Sequence, residues 1–179
     1  MGLPNAVACR LVAGAHQRGI ARTDILAVAT HIGARSAIEI QVKTATGSGP
    51  NTKWHLGRSS LDLDKSGREW FVLVAVPQLP APARGFVVPR DHLAAAAWIV
   101  HVNWLTMPGV PSGRRNAPVE QSRVALSVFE SYEDRWDLLD EETHSAPRSL
   151  LPPWLSERCS EPRVGPPPGH PWNGSLPVR

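Results

Sequence analysis

The succession of apolar periods along the chain predicts an α+β domain, a sandwich of helices around a mixed β-sheet. Three observations carry this. Residues 36–46, SAIEIQVKTAT, alternate strictly between apolar and polar side chains, the pattern of a half-buried strand. Residues 70–76, WFVLVAV, are an unbroken apolar run rich in valine, as in a strand buried on both faces. Residues 89–105, PRDHLAAAAWIVHVNWL, open with Pro89 and Asp91 as helix-start signals and continue in helical pattern to Leu105.

The remaining elements follow in order. Residues 5–18 place Val7, Leu11 and Ala15 on one helical face, with Gly19 as the stop. TDILAVAT at 23–30 reads as a short strand, joined to the alternating strand through a turn at HIGARS. GSGPNTK at 47–53 is a loop, and GFVVP at 85–89 a further strand. Pro108, Pro111 and Pro118 impose an irregular stretch, after which residues 120–139 are expected to close the domain with a strand or turn and a final helix. The domain is therefore assigned to residues 1–140. Nine of the 18 prolines lie in the last forty residues, which lack a sustained apolar period. Residues 141–179 are accordingly expected to be a mostly disordered tail, with a brief turn at Trp154 and Leu155.

Length and charge narrow the function classes. A chain of 179 residues suits one domain with a full core. Its longest apolar runs, such as LAAAAWIV at 93–100, fall short of the roughly 20 residues a bilayer needs, so no membrane partner is expected. The N-terminal stretch has Arg10 inside its apolar run and no clear small-residue cleavage site, so it is not read as a signal peptide. Cys9 and Cys159 are too far apart in sequence to suggest a disulfide framework or a zinc set, and a reduced cytoplasmic setting is the expectation. The net charge is +3, but residues 1–68 hold nine Lys/Arg against four Asp/Glu, a basic half that suits a polyanionic partner.

The alternating strand carries the chemistry. Ile38, Ile40 and Val42 point one way, and Glu39, Gln41 and Lys43 the other, each about 7 Å from the next along the strand. Pairing the two strands through a turn centred near Gly33 brings Asp24 alongside Gln41 and Lys43. A carboxylate, an amide oxygen and an adjacent main-chain carbonyl together suit a hard cation such as Mg²⁺. A neighbouring lysine can orient water or offset charge at phosphorus. The other reading of the same residues is an amphipathic strand with a solvated polar face and Asp24 as a turn cap.

The arrangement TD, then QVK, resembles the PD-(D/E)XK nuclease superfamily in its variant with glutamine at the acidic position. Further segments fit in order: EWFVLVAV, FVVP, HVNWLTMPG and YEDRWDLL, so that residues 5–139 look like a bacterial group of small proteins with this core. The resemblance implies a restriction-endonuclease-like, Holliday-junction-resolvase-like three-layer α/β/α core around a central mixed sheet. It implies Asp24, Gln41 and Lys43 as catalytic residues, and Mg²⁺ or Mn²⁺ held by Asp24, Gln41 and the Val42 carbonyl, with Glu39 as a further carboxylate on the same face. The activity implied is metal-dependent hydrolysis of nucleic acid, an endodeoxyribonuclease first of all, and homodimerisation is left open. Thr23 stands where the family has proline, Gln41 is neutral, and the first helix lacks an acidic residue. Those departures support an alternative: a nuclease-fold module of weak or no activity that binds nucleic acid or a protein.

Arg22, Lys53, Trp54 and Arg58 are the candidate nucleic-acid contacts, Trp54 as a stacking surface among basic neighbours. The other tryptophans read as core anchors. The seven histidines include no pair at helical ligand spacing, and His101 with Trp104 reads as ordinary helix packing. No glycine-rich phosphate loop or nucleophile-elbow motif occurs.

Overall fold

A computed structural model describes residues 23–28 and 37–173. The helix expected over 5–18, Arg22 and the turn at HIGARS lie outside the described residues. The chain is a mixed α/β protein whose main sheet has the strand order β1-β2-β4-β5. These strands are β1 (Ile25–Val28), β2 (Ala37–Thr46), β4 (Glu69–Val76) and β5 (Arg84–Pro89). β2 runs antiparallel to β1 and parallel to β4, and β5 runs antiparallel to β4, so the sheet is mixed as expected. A second, two-stranded ribbon joins β3 (Lys53–His55) to β6 (Arg123–Ala125). The two described α-helices are α1 (Arg90–Leu105) and α2 (Pro153–Cys159). None is long and apolar enough to cross a membrane.

Register explains which side chains share a face. Gln41 lies beside Phe71, and Phe71 beside Val88; Lys43 lies beside Leu73, and Leu73 beside Phe86. Trp54 from β3 packs on this face, its ring edge-on to Phe86 at 5.5 Å and its indole N–H donating to the Val74 carbonyl at 3.2 Å. Ile40, Trp70, Val72 and Val87 alternate onto the opposite face and are buried as well. β4 is therefore covered on both sides, which accounts for its uninterrupted apolar run. The connection out of β2 depends on Gly47, whose φ of 111° and whose close approach to Thr52 leave no room for a side chain.

Helix α1 begins directly after Pro89, the last residue of β5. Its alanines, Ala94 to Ala97, are all buried, so it is enclosed on most sides rather than amphipathic. Small side chains let neighbouring elements approach it closely.

Two expectations are corrected. Residues 120–139 contain no closing α-helix: β6 is followed by 3-10 turns at Leu126–Val128, Glu130–Tyr132 and Trp136–Asp140. The backbone is held along β5 instead, through a bridge between Phe86 and Glu133 and an Asp134 N–H to Gly85 carbonyl bond of 2.9 Å. Asp134 has a φ of 52°, outside the helical region. Phe129 and Tyr132 anchor the turns in the core.

The stretch expected as a disordered tail is packed through residue 173. Leu151, Leu155, Val164 and Trp172 are buried, Pro153 occupies the first turn of α2, and His170 Nε2 lies 3.0 Å from the Asp91 carbonyl. Arg163 bonds Asn103 of α1 at 2.6 Å, and Arg148 sits 4.8 Å over the Trp172 ring. Proline restricts the unfolded chain, so a few well-placed anchors suffice to order a segment whose average composition is poor in apolar residues.

His92 joins this segment to the core. Its Nδ1 lies 2.6 Å from the Tyr132 hydroxyl and its ring packs edge-on to Trp172 at 4.7 Å. Burial pushes the imidazole down to about 3, with the nearby His170 and Arg148 charges acting in the same sense. A base whose folded pKa is depressed takes up protons more readily when unfolded, so stability is present above about 6.5 and is lost as pH falls toward 3. The unfolding free energy from urea titration should therefore fall between pH 7 and pH 5, by up to about 1.4 kcal/mol per pH unit from this group. His92→Gln, which keeps a hydrogen-bonding side chain, should flatten the slope; equal slopes in both proteins would contradict this account.

Candidate functional site

The site is built at the junction of β1 and β2. Ile25 pairs with Ile40, and the Asp24 N–H also donates to the Ile40 carbonyl, at 2.9 Å. The ladder ends there, because the next β2 donor facing that edge, the Val42 N–H, bonds the Asp24 carboxylate at 2.7 Å instead of main chain. The Glu39 N–H donates to the Arg68 carbonyl on the β4 side. Alternation then turns the Ile38, Ile40 and Val42 main-chain groups toward β1, so the Val42 carbonyl faces the edge where Asp24 stands. The hairpin arithmetic, which placed residue 24 close to residue 42, agrees with this geometry.

Glu39 and Gln41 are each held by a residue that sequence reasoning did not assign to the site. The Thr23 hydroxyl donates to Glu39 Oε2 at 2.6 Å. A proline at that position would supply no such donor. Gln41 is only 7% exposed, so the polar face of β2 is not uniformly solvated. Gln41 Nε2 donates to Ser59 Oγ at 3.3 Å, while its Oε1 is buried and has no hydrogen-bond partner among the described residues. A buried amide oxygen without a donor is costly and calls for an explanation. Lys43 is half-buried, and its side chain makes no hydrogen bond or ion pair with a described residue.

Ser59 reaches Gln41 because the 3-10 turn Arg58–Leu61 lies against the sheet, with Gly57 before it at a φ of 75°. Arg90 holds that turn by donating from Nη1 to the Ser59 carbonyl at 2.8 Å. Arg90 also lies 2.7 Å from Glu69 and 4.7 Å over the Phe71 ring. No motif marks Ser59 or Arg90; a charged residue at the first position of an apolar helix was the available signal.

The nucleic-acid contacts separate. Arg58 is exposed one residue from Ser59, at the rim of the site. Trp54 is fully buried, with Phe86 and Phe129 packed around it, so it is a core anchor and offers no surface for base stacking. Lys53 alternates with Trp54 and so points away from the main sheet, apart from Asp24, Gln41 and Lys43.

Among the described residues there is no group of three or more His, Cys, Asp or Glu able to hold a metal ion. The oxygen donors present are one carboxylate at Asp24, the unpartnered Gln41 amide oxygen, and the Val42 carbonyl facing Asp24. Mg²⁺ and Mn²⁺ are hard cations that take one or two carboxylates and keep several waters. The Glu39 carboxylate has one oxygen occupied by Thr23. No protein-family model, curated protein or solved structure matches the chain.

The orphaned Gln41 oxygen has a measurable consequence. Replacing the half-satisfied amide by an apolar side chain of similar volume, Gln41→Met, should raise stability by about 1 kcal/mol. Urea unfolding reads this directly, and a lower midpoint in the variant would mean that the amide is fully satisfied.

Proposed function

We propose that this chain is a metal-dependent phosphodiesterase that cleaves nucleic acid, in the first instance a DNA endonuclease, on a restriction-endonuclease-like three-layer core. The observation that carries the reading is the Asp24 carboxylate seated on the N–H of Val42, the residue after Gln41, whose buried side-chain oxygen has no donor among the described residues. The resemblance of TD and QVK to the nuclease motif supports it. A bound Mg²⁺ or Mn²⁺ would supply charge stabilisation at a phosphoryl oxygen and a more acidic water. Asp24, Gln41 and the Val42 carbonyl would hold that ion. The Val42 N–H fixes the carboxylate, and the Ser59 hydroxyl fixes the amide. Lys43, with no carboxylate partner among the described residues, would orient water and offset charge developing at phosphorus. Arg58 and Arg22 would meet the backbone phosphates. A cytoplasmic setting follows from the cysteine count, and a homodimer is the assembly that would suit cutting both strands.

One observation favours a second reading, a nuclease-fold module that binds without turnover. Gln41 is neutral, and each carboxylate near the end of β1 already has one oxygen engaged, Glu39 by the Thr23 hydroxyl and Asp24 by the Val42 N–H.

A supercoiled-plasmid nicking assay with Mg²⁺ or Mn²⁺ separates the readings. The nuclease reading predicts cleavage that falls by about 100-fold or more in Asp24→Ala and in Lys43→Ala. Cleavage undiminished in both variants would overturn the site. Absence of cleavage together with steeply salt-dependent gel retardation would favour the binding module.

A further inference from the structure

We infer that a second site, on the outer face of the β3–β6 ribbon, binds the phosphate of a nucleotide through Lys53 and Arg123. Trp54 and Val124 point inward and are fully buried, which turns Lys53, His55 and Arg123 outward together. His55 lies directly opposite Arg123 in the register, and Lys53 is two residues along the same strand. All three are exposed, and none makes a hydrogen bond or ion pair with a described residue. Basic groups set side by side on one sheet face repel one another unless an anion lies between them.

Five other arginines are paired with carboxylates. Arg84 pairs with Glu133, Arg90 with Glu69, Arg135 with Asp137, and Arg158 and Arg163 with Glu161. The ribbon instead faces a hollow of about 390 Å³ that no aspartate or glutamate lines among the described residues. The C-terminal half of α1 forms the opposite wall with Val100, His101 and Trp104, and Gln121 lies at its side. His101 is fixed in that wall by the Ala117 carbonyl at 2.9 Å. At the rim, Arg115 is held 5.0 Å over the Trp104 ring and adds a further positive charge.

The shape and chemistry select the ligand class. The cations take a phosphate, while Val100 and the partly exposed Trp104 offer apolar surface to a sugar or base, and the Gln121 amide can donate to or accept from either. The hollow is at the small end of ligand sites, a size for one nucleotide rather than a duplex. A free mononucleotide and a nucleotide within a single strand share this chemistry. The inference stands apart from the phosphodiesterase reading, because Lys53 and Arg123 lie on the side of the ribbon opposite Trp54 and Val124, facing away from the main sheet.

Calorimetric titration of the full chain in EDTA, in an Asp24→Ala background, tests the site with no contribution from cleavage. The probes are inorganic phosphate, adenosine, adenosine monophosphate and a short single strand bearing a 5′-phosphate. Saturable binding of the monophosphate, with adenosine much weaker, is expected. Lys53→Gln and Arg123→Gln should each weaken it by about tenfold, the scale of losing one charged hydrogen bond. Lys65→Gln removes the same charge from another exposed position and should leave binding unchanged. A single strand that binds more tightly than the monophosphate and is released by Lys53→Gln would identify the strand as the source; a monophosphate preference would identify the free nucleotide. No saturable binding by any probe, equal binding of adenosine, or equal weakening by Lys65→Gln would overturn the site.

Discussion

The buried ion pair between Arg90 and Glu69 is the constraint on which the rest of the arrangement depends. The two side chains are 2% and 5% exposed, and the contact is 2.7 Å. Removing two charges from water costs several kcal/mol each, and such a pair persists only where further partners satisfy it. Here they do. The Lys65 N–H donates to Glu69 Oε1 at 2.9 Å, Arg90 donates to the Ser59 carbonyl, and the guanidinium lies over the face of Phe71. One cluster thereby joins the start of β4, the start of α1 and the turn over the sheet.

The candidate site hangs from this cluster. Arg90 holds the Ser59 backbone, the Ser59 hydroxyl holds the Gln41 amide nitrogen, and the Gln41 oxygen is left without a donor. On the other side of β2, Thr23 and Asp24 close the end of β1 by bonding Glu39 and the Val42 N–H. The Gln41 oxygen, like Trp70 Nε1, Trp98 Nε1 and Ser122 Oγ, is therefore buried without a hydrogen-bond partner among the described residues, and it lies one position along β2 from the N–H that holds the Asp24 carboxylate. Sites that sacrifice local stability in this way are the ones to inspect for function.

How much of this was legible in the sequence depended on whether the signal was local. β2, β4, β5 and α1 have strong periods, and their bounds differ from the expected ones by about one residue. The approach of Asp24 to Val42 followed from hairpin counting alone. Trp54 was misplaced because basic neighbours suggest a surface, whereas strand alternation separates its face from theirs. The closing segment and the proline-rich stretch failed for a related reason: single anchors such as Tyr132, Leu155 and Trp172 have no period, and their partners lie far away in the chain. The Arg90 cluster is likewise invisible locally, since it joins residues from three separate elements.

The proposed phosphodiesterase requires the oxygen donors of Asp24, Gln41 and Val42 to act as one cation site. Crystals grown with Mn²⁺ and measured for anomalous scattering test this most directly. The account predicts a peak in contact with both the Asp24 carboxylate and the Gln41 amide oxygen. A peak located elsewhere, or none at a saturating Mn²⁺ concentration, would contradict it.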